Sequence, residues 1–198
     1  MITLIKSSIV KQAFFPNWLG IIINPFYFAR LNLAKSISKY SLHLNGKLID
    51  VGCGTKPYQA LFRVEKYIGL DIDDEQNRQL GIADYFYDGN SFPFPSDEFD
   101  SALCNQVLEH VFNPNEFLSE IFRIMKPGSK LLLTVPFVWD EHSQPFDYGR
   151  YTSFGLKHLL KQNGFKILKH EKLGSDITVI LQLVNAYLFK VSLNWNKY

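Results

Sequence analysis

A doubly wound α/β sheet, mostly parallel, with six or seven strands in three layers, is the architecture this sequence predicts. Short apolar runs of strand length recur and end in Gly, Asp or Asn, as at Leu48–Val51, Tyr67–Ile72 and Phe99–Asn105. Near-continuous apolar runs are how strands buried on both faces read. Helical periodicity fills an interval between such runs, with Phe117, Ile121, Ile124 and Met125 on one stripe. The connections are short, and strand–helix alternation with such loops selects a parallel sheet.

A chain of 198 residues holds one domain with a good core rather than two. We expect an N-terminal arm (1–25), a main domain (26–175) and an apolar C-terminal helix or last strand (176–198). A net charge of +2 gives no electrostatic case for a nucleic-acid partner. The two cysteines, Cys53 and Cys104, lack CxxC spacing, which argues against a disulfide scaffold or zinc site and suits a reducing cytoplasm. Pro16, Asn17, Asn24 and Pro25 break the early apolar stretch, so no spanning helix is expected there.

In chain order, Phe14, Phe15, Trp18 and Ile21–Ile23 of the arm either pack on the domain or face a membrane surface or partner. Phe28, Leu31, Ala34 and Ile37 then recur at helical spacing from Pro25 to about Ser41. The first strand runs into the turn of KLIDVGCGTKPY, Lys47–Tyr58, where side chains at Gly52 and Gly54 would hold a ligand off the backbone. A short segment, Pro57–Arg63, leads to the second strand, Tyr67–Ile72. The helix at Asp74–Gly81 is short and poorly patterned. Asp84–Asp88 is a weaker third strand, and a proline-rich loop at 90–98 precedes the fourth, Phe99–Asn105. Asn113-Pro114-Asn115-Glu116 opens a helix, with cap, proline and acid in sequence. Lys126-Pro127-Gly128 ends it, and Lys130–Val135 is the fifth strand. A polar and aromatic loop covers 136–151. Thr152 or Ser153 caps a helix through Leu156, Leu159 and Leu160, and Phe165–Leu173 is a sixth strand. From Asp176 the chain is apolar on most sides, with Thr178, Gln182, Asn185 and Ser192 mainly on one stripe. It is a helix, or begins with a seventh strand at ITVI.

Ligands of such sheets sit outside the carboxyl ends of the strands, at the switch point. Asp50 to Gly54, Asp71, Asp88, Asn105 and the loop after Val135 all fall there. A dinucleotide fingerprint wants GxGxxG, but Pro57 occupies the third glycine position, which disfavours a nicotinamide oxidoreductase. Asp71, at the end of the next strand, is placed to accept ribose hydroxyls.

IDVGCGTKPY, YIGLDID, FPFPSDEFDSALCNQVLEHV and LSEIFRIMKPGSKLLLTVPF, in that order, resemble the class I S-adenosylmethionine-dependent methyltransferases of the broad small-molecule, type 11-like group. The resemblance covers roughly residues 45–172 and implies a Rossmann-like fold. It further implies a cofactor cradled at Asp50, Gly52, Cys53 and Gly54, with Asp71 and Ile72 at the ribose. Asp88 and Gly89 would lie by the adenine amino group, and Asn105 and Gln106 on the methionine side. Lys56 and Pro57 stand where the family often has a further glycine. The implied cofactor is S-adenosylmethionine, leaving as S-adenosylhomocysteine; no metal is expected, because no ligand spacing supports metal binding by His110, His142 and an acid.

Methyl transfer from a sulfonium depends on positioning more than on a protein nucleophile, and no Ser/His/Asp or Cys/His arrangement is readable. His110, His142 and Asp147 are the candidate catalytic groups that could accept a proton. Arg150 could clamp an anion, and Tyr148 and Tyr151 could stack on an acceptor. The plain alternatives are that His110 pairs near Glu109 and that Arg150 pairs with Asp147. The expected acceptor is a small molecule, or a glycan- or lipid-linked group, and Arg150 in the loop suits an anionic one. A non-catalytic cofactor-binding or regulatory module and a nucleic-acid methyltransferase are the rival readings. The expected location is cytoplasmic, with a membrane-peripheral contact or homodimer open through the apolar termini.

Overall fold

Five parallel strands form the sheet of this protein, whose computed structural model describes residues 12–174 and 176–192. Residues 1–11 of the expected arm, Ser175, and residues 193–198 of the expected C-terminal segment lie outside the described residues. The strands are β1 (Lys47–Val51), β2 (Lys66–Ile72), β3 (Tyr85–Tyr87), β4 (Phe99–Asn105) and β5 (Met125–Thr134). The helices are α1 (Gly20–Ile23), α2 (Tyr27–Ser41), α3 (Glu75–Leu80), α4 (Pro114–Ile124), α5 (Ser153–Gln162) and α6 (Ile177–Ser192). The sheet order is β3-β2-β1-β4-β5, with every pairing parallel. The order reverses at β1, so the switch point lies between the ends of β1 and β4.

The chain divides into two units. One holds residues 40–170 and contains the whole sheet. Its core joins Ile49, Val51, Ile68, Leu70, Ala102 and Cys104 of the strands to Phe117, Leu118, Ile121 and Ile124 of α4 and Leu156 of α5. α4 starts with Pro114 in its first turn, as expected, but Asn113 makes no side-chain cap and donates instead to Glu116 Oε2 at 3.3 Å. Thr152 does cap α5, its Oγ1 accepting from Gly155 N at 3.1 Å. The proline-rich loop is an aromatic clasp. Phe92 meets Tyr87 and Phe117 edge to face, and Phe94 meets Tyr85 and Phe99 likewise. Arg123 on α4 donates to the Phe94 and Phe92 carbonyls and pairs with Glu120, which accepts from Phe92 N.

Two strand assignments change. β5 begins at Met125 with no intervening loop, and its register against β4 slips between Phe99 and Ser101. Pro127 is tolerated because β5 lies at the edge of the described sheet, where a missing N–H breaks no ladder bond. The expected sixth strand, Phe165–Leu173, forms no strand, and the possible seventh at ITVI is the start of α6. In the first case the segment has no partner strand among the described residues. In the second, helical hydrogen bonding overrides β-branched propensity.

The other unit comprises, among the described residues, 12–39, 171–174 and 176–192. Within it α6 turns its polar stripe inward. Gln182 Oε1 accepts from Ala29 N at 2.9 Å, Gln182 Nε2 donates to Pro25 O at 2.6 Å, and Asn185 Nδ2 donates to Asn24 O at 3.0 Å. Ile177, Ile180, Tyr187, Leu188 and Val191 are exposed instead. Among the described residues, no helix is long and apolar enough to cross a membrane.

Candidate cofactor and acceptor site

The turn after β1 is fastened to β2 through its own amides. Gly52 N and Cys53 N both donate to Leu70 O, at 2.8 and 3.1 Å, and Gly54 N donates to Asp71 Oδ2 at 2.8 Å. Three consecutive N–H groups therefore have acceptors inside the protein. A dinucleotide site needs such amides free for pyrophosphate at a helix N-terminus. Here only the three-residue 3₁₀ turn Gln59–Leu61 follows. The turn is thus built against a pyrophosphate.

Its two glycines do different work. Gly52 has φ +72°, and a Cβ there would lie 2.4 Å from Val107 Cγ2, just beyond the end of β4. Gly54 has φ +49°, and a Cβ there would meet nothing within 4 Å. One glycine closes the switch point, and the other keeps a face open beside Asp71. Asp71 also accepts from Ile72 N at 2.8 Å and Asn77 Nδ2 at 3.2 Å. Burial pushes its carboxyl above the usual range, while the Gly54 and Ile72 amides oppose the shift. Ile72, exposed at the end of β2, lies 3.7 Å from the position of a Cβ on Gly89. Asp88 Oδ1 accepts from Asn90 N and Ser91 N, at 2.9 and 3.2 Å, and so shapes the turn after β3.

Asp50 is the buried member of the set, 4% exposed, with Oδ2 accepting from Tyr67 O–H at 2.6 Å. Burial pushes its carboxyl up to about 7, with Tyr67 opposing and Asp71 adding to the rise. Lys56, the family departure, crosses β2 at Gly69, where its Cε would lie 2.2 Å from an added Cβ. Its ammonium meets Asp84 Oδ2 at 2.6 Å, and the same oxygen accepts from Gly69 N at 2.7 Å. Lys56 thereby latches the turn to the β2–β3 edge. Both thiols are buried, and burial pushes Cys53 up to about 12 and Cys104 well above its ordinary value. They are inert protonated side chains.

At the other side of the switch point, Asn105 Oδ1 accepts from Thr134 Oγ1 at 2.7 Å. Gln106, at φ +57°, donates from its backbone N to Thr134 O at 3.0 Å. Then comes the 3₁₀ turn Leu108–His110, over which the long loop is tied. Tyr148 N and Gly149 N donate to Glu109 O at 2.7 and 3.1 Å, and Tyr151 O–H donates to Leu108 O at 3.3 Å. His110 and His142 stack edge to face, 4.9 Å apart. Asp147 accepts from Arg150 at 2.6 and 2.7 Å and from His142 N at 2.9 Å. The guanidinium holds its carboxyl far below the usual range. Arg150 also donates to Gly149 O and Asp140 O, so the loop's charges order the loop. That makes Asp147 a poor proton acceptor. His110 Nδ1 lies 2.6 Å from Phe146 O, which places its proton there and the lone pair on Nε2. Burial lowers the His142 pKa, against the pull of Asp147. Tyr148 packs on Phe112 at 5.3 Å.

The sequence did not single out Val107, Asn77, Thr134 or the latch role of Lys56, whose partners lie far along the chain. Glu109 carried one signal, a lone acid in the apolar run VLEHV.

Residues 26–170 match the family model of the methyltransferase domain. The chain belongs to the class I S-adenosylmethionine-dependent methyltransferases. It is 32% identical over 125 residues to the demethylmenaquinone methyltransferase of Symbiobacterium thermophilum, covering 55% of this chain and 47% of that protein. An uncharacterised protein of Methanocaldococcus jannaschii is 28% identical over 138 residues, 63% of this chain and 66% of the relative. The chain thus spans about half to two thirds of the length of these curated relatives. In fold it resembles an S-adenosylmethionine-dependent methyltransferase from Aquifex aeolicus. The TM-score is 0.56 at 21% identity, covering 74% of this chain and 87% of that one.

Proposed function

We propose that this protein transfers the methyl group of S-adenosylmethionine to a small-molecule, glycan-linked or lipid-linked acceptor. The observation that carries the reading is the glycine turn. Its amides are turned inward, its open face lies over Gly54, and Asp71 stands beside it at the switch point. When bound, S-adenosylmethionine supplies an electrophilic methyl group on a positively charged sulfur. Asp71 would hold the ribose hydroxyls. A carboxylate offers about four acceptor positions, and Asn77, whose amide also reaches Ile72 O and Asp74 Oδ2, is the partner it can exchange. Gly89 and Asp88 would lie toward the base, and Asn105 and Gln106 toward the amino-acid end. The acidic groups Asp50 and Asp71 suit a cationic ligand and not a pyrophosphate.

The loop over Leu108–His110 would close the acceptor side. Its histidines bring two imidazoles to the acceptor side, and Tyr148 and Phe146 offer exposed ring faces. Positioning contributes most of the rate in such a transfer.

Calorimetry tests the reading. S-adenosylmethionine and S-adenosylhomocysteine should bind and nicotinamide dinucleotide should not. Asp71→Ala should weaken both by about 10- to 100-fold, as expected for loss of charge-assisted hydrogen bonds. Binding of the dinucleotide alone refutes it. Label transfer from methyl-labelled cofactor to a small product of cell extract is the expected second result. Cofactor binding without any labelled product would point to a regulatory module.

A further inference from the structure

The long loop and the turn after β4 bring together three groups that the sequence keeps far apart. One ligand atom each from Glu109, His110 and His142 lies within 4.8 Å of the others. Glu109 is fully buried, and neither of its carboxylate oxygens has a hydrogen-bond partner. A buried carboxylate without partners is costly and needs a reason. Arg150 supplies Glu109 with a nearby positive charge but no hydrogen bond, its terminal nitrogens being bonded to Asp147, Gly149 O and Asp140 O. His110 Nε2 stands 3.8 Å from Glu109 Oε1, too far for a hydrogen bond.

From this geometry we infer that Glu109, His110 and His142 form a binding site for one divalent transition-metal ion of the zinc class. Two imidazoles and a carboxylate are ligands for zinc or cobalt rather than for magnesium or calcium, which prefer oxygen throughout. A ligating histidine donates its other N–H to a carbonyl or carboxylate, and both histidines have such a partner. His110 Nδ1 faces Phe146 O at 2.6 Å, and His142 Nδ1 faces Asp140 O at 3.4 Å, with Asp147 Oδ2 an ionic neighbour at 3.3 Å. Arg150 Nη2 also lies 3.3 Å from His142 Nδ1, but its charge is offset by Asp147. Tetrahedral zinc with bonds of 2.0–2.1 Å sets its ligand atoms about 3.3 Å apart, so the loop must close by about 1.5 Å at most. Three protein ligands leave one position open, the pattern of a catalytic rather than a structural zinc site. The site follows β4, next to Val107 at the switch point. An acceptor hydroxyl could therefore occupy that position.

The test uses the full chain without a polyhistidine tag, dialysed against chelator and then titrated with Co²⁺ in the absence of S-adenosylmethionine. One equivalent should bind with the visible absorption of a low-coordinate nitrogen–oxygen cobalt centre. Zn²⁺ should displace it, and excess Mg²⁺ should not. His110→Ala and His142→Ala should each weaken binding by at least about a hundredfold, since loss of an outer partner alone costs 10- to 100-fold. Asp147→Asn should cost about tenfold, and His158→Ala on α5 should change nothing. Glu109→Gln is the isosteric variant of the buried ligand. If it misfolds, the two histidine variants, checked by circular dichroism, still decide the matter. No cobalt or zinc binding by folded wild type overturns the inference, as does unchanged affinity in both histidine variants. The readout is independent of methyl transfer, so its failure leaves the proposed activity standing.

Discussion

Gly52 and Gly54 sit two residues apart in one turn, yet substitution should separate fold from function. Gly52→Ala places a Cβ 2.4 Å from Val107 Cγ2 and 2.9 Å from Cγ1, at φ +72°. The left-handed backbone costs about 1–2 kcal/mol, and overpacking against a stiff β-branched side chain adds about 1–3 kcal/mol. Gly54→Ala incurs only the backbone cost, because nothing lies within 4 Å of its Cβ. For a chain of this size the melting temperature should fall by roughly 10 °C for Gly52→Ala and roughly 4 °C for Gly54→Ala. Binding should rank the other way, with Gly54→Ala weakening S-adenosylhomocysteine by about tenfold or more, since its methyl enters the open face. Urea melts of Gly52→Ala, Val107→Ala and the double variant give the coupling, expected at about 1–3 kcal/mol in favour of the double variant. Strict additivity would refute the contact as the reason for Gly52. Unchanged binding by Gly54→Ala would remove the open face from the cofactor site.

Asp50→Asn tests the buried carboxyl. The folded protein holds that proton more tightly than the unfolded chain, whose ordinary value is near 3.8 against about 7 when folded. Asp50 therefore favours folding at low pH, and that contribution is lost as pH rises through about 7, by about 2 kcal/mol between pH 5 and pH 7. Asparagine keeps the acceptor for Tyr67, so urea melts at the two pH values should show a correspondingly flatter profile; an unchanged slope would mean Asp50 is ionised throughout. Lys56→Met removes the latch to Asp84 with a stability loss under about 1 kcal/mol, because Asp84 is half exposed. Calorimetry should nonetheless show severalfold weaker S-adenosylhomocysteine binding, and unchanged affinity would reduce Lys56 to a surface pair.

The parts of the fold that could be read from sequence are those fixed by local chemistry. β1, β2 and β4 announce themselves as apolar runs ending in Gly, Asp or Asn, and Thr152 caps α5 as its side chain requires. Their strand ends then place the glycine turn, Asp71 and Asn105 around one crevice. Phe165–Leu173 misled because apolar residues such as Phe165, Ile167 and Leu168 report that a segment could be a strand, while a strand also needs a neighbour. Lys126-Pro127-Gly128 reads as a helix stop, and only the slipped register against β4 makes it strand. For the cluster of Glu109, His110 and His142 the sequence offered the two histidines and an unnamed acid, with no ligand spacing to support them. Its members converge because Asp147 and Arg150 fold the loop back, which no spacing rule records. The polar stripe of α6 was visible, but its direction depended on acceptors and donors at Asn24, Pro25 and Ala29.

That last arrangement bears on the order in which the protein matures. Ala29 lies in the first turn of α2, where backbone N–H groups lack helical partners, and its N–H is satisfied by Gln182, 153 residues later. At 5–20 residues per second a ribosome needs roughly 8 to 30 s to make the intervening chain. Throughout that interval the start of α2 is without this cap, while residues of the β1–β5 sheet emerge behind it. α6 thus finishes α2, and the synthesis of α6, rather than that of the glycine turn, sets when α2 is complete.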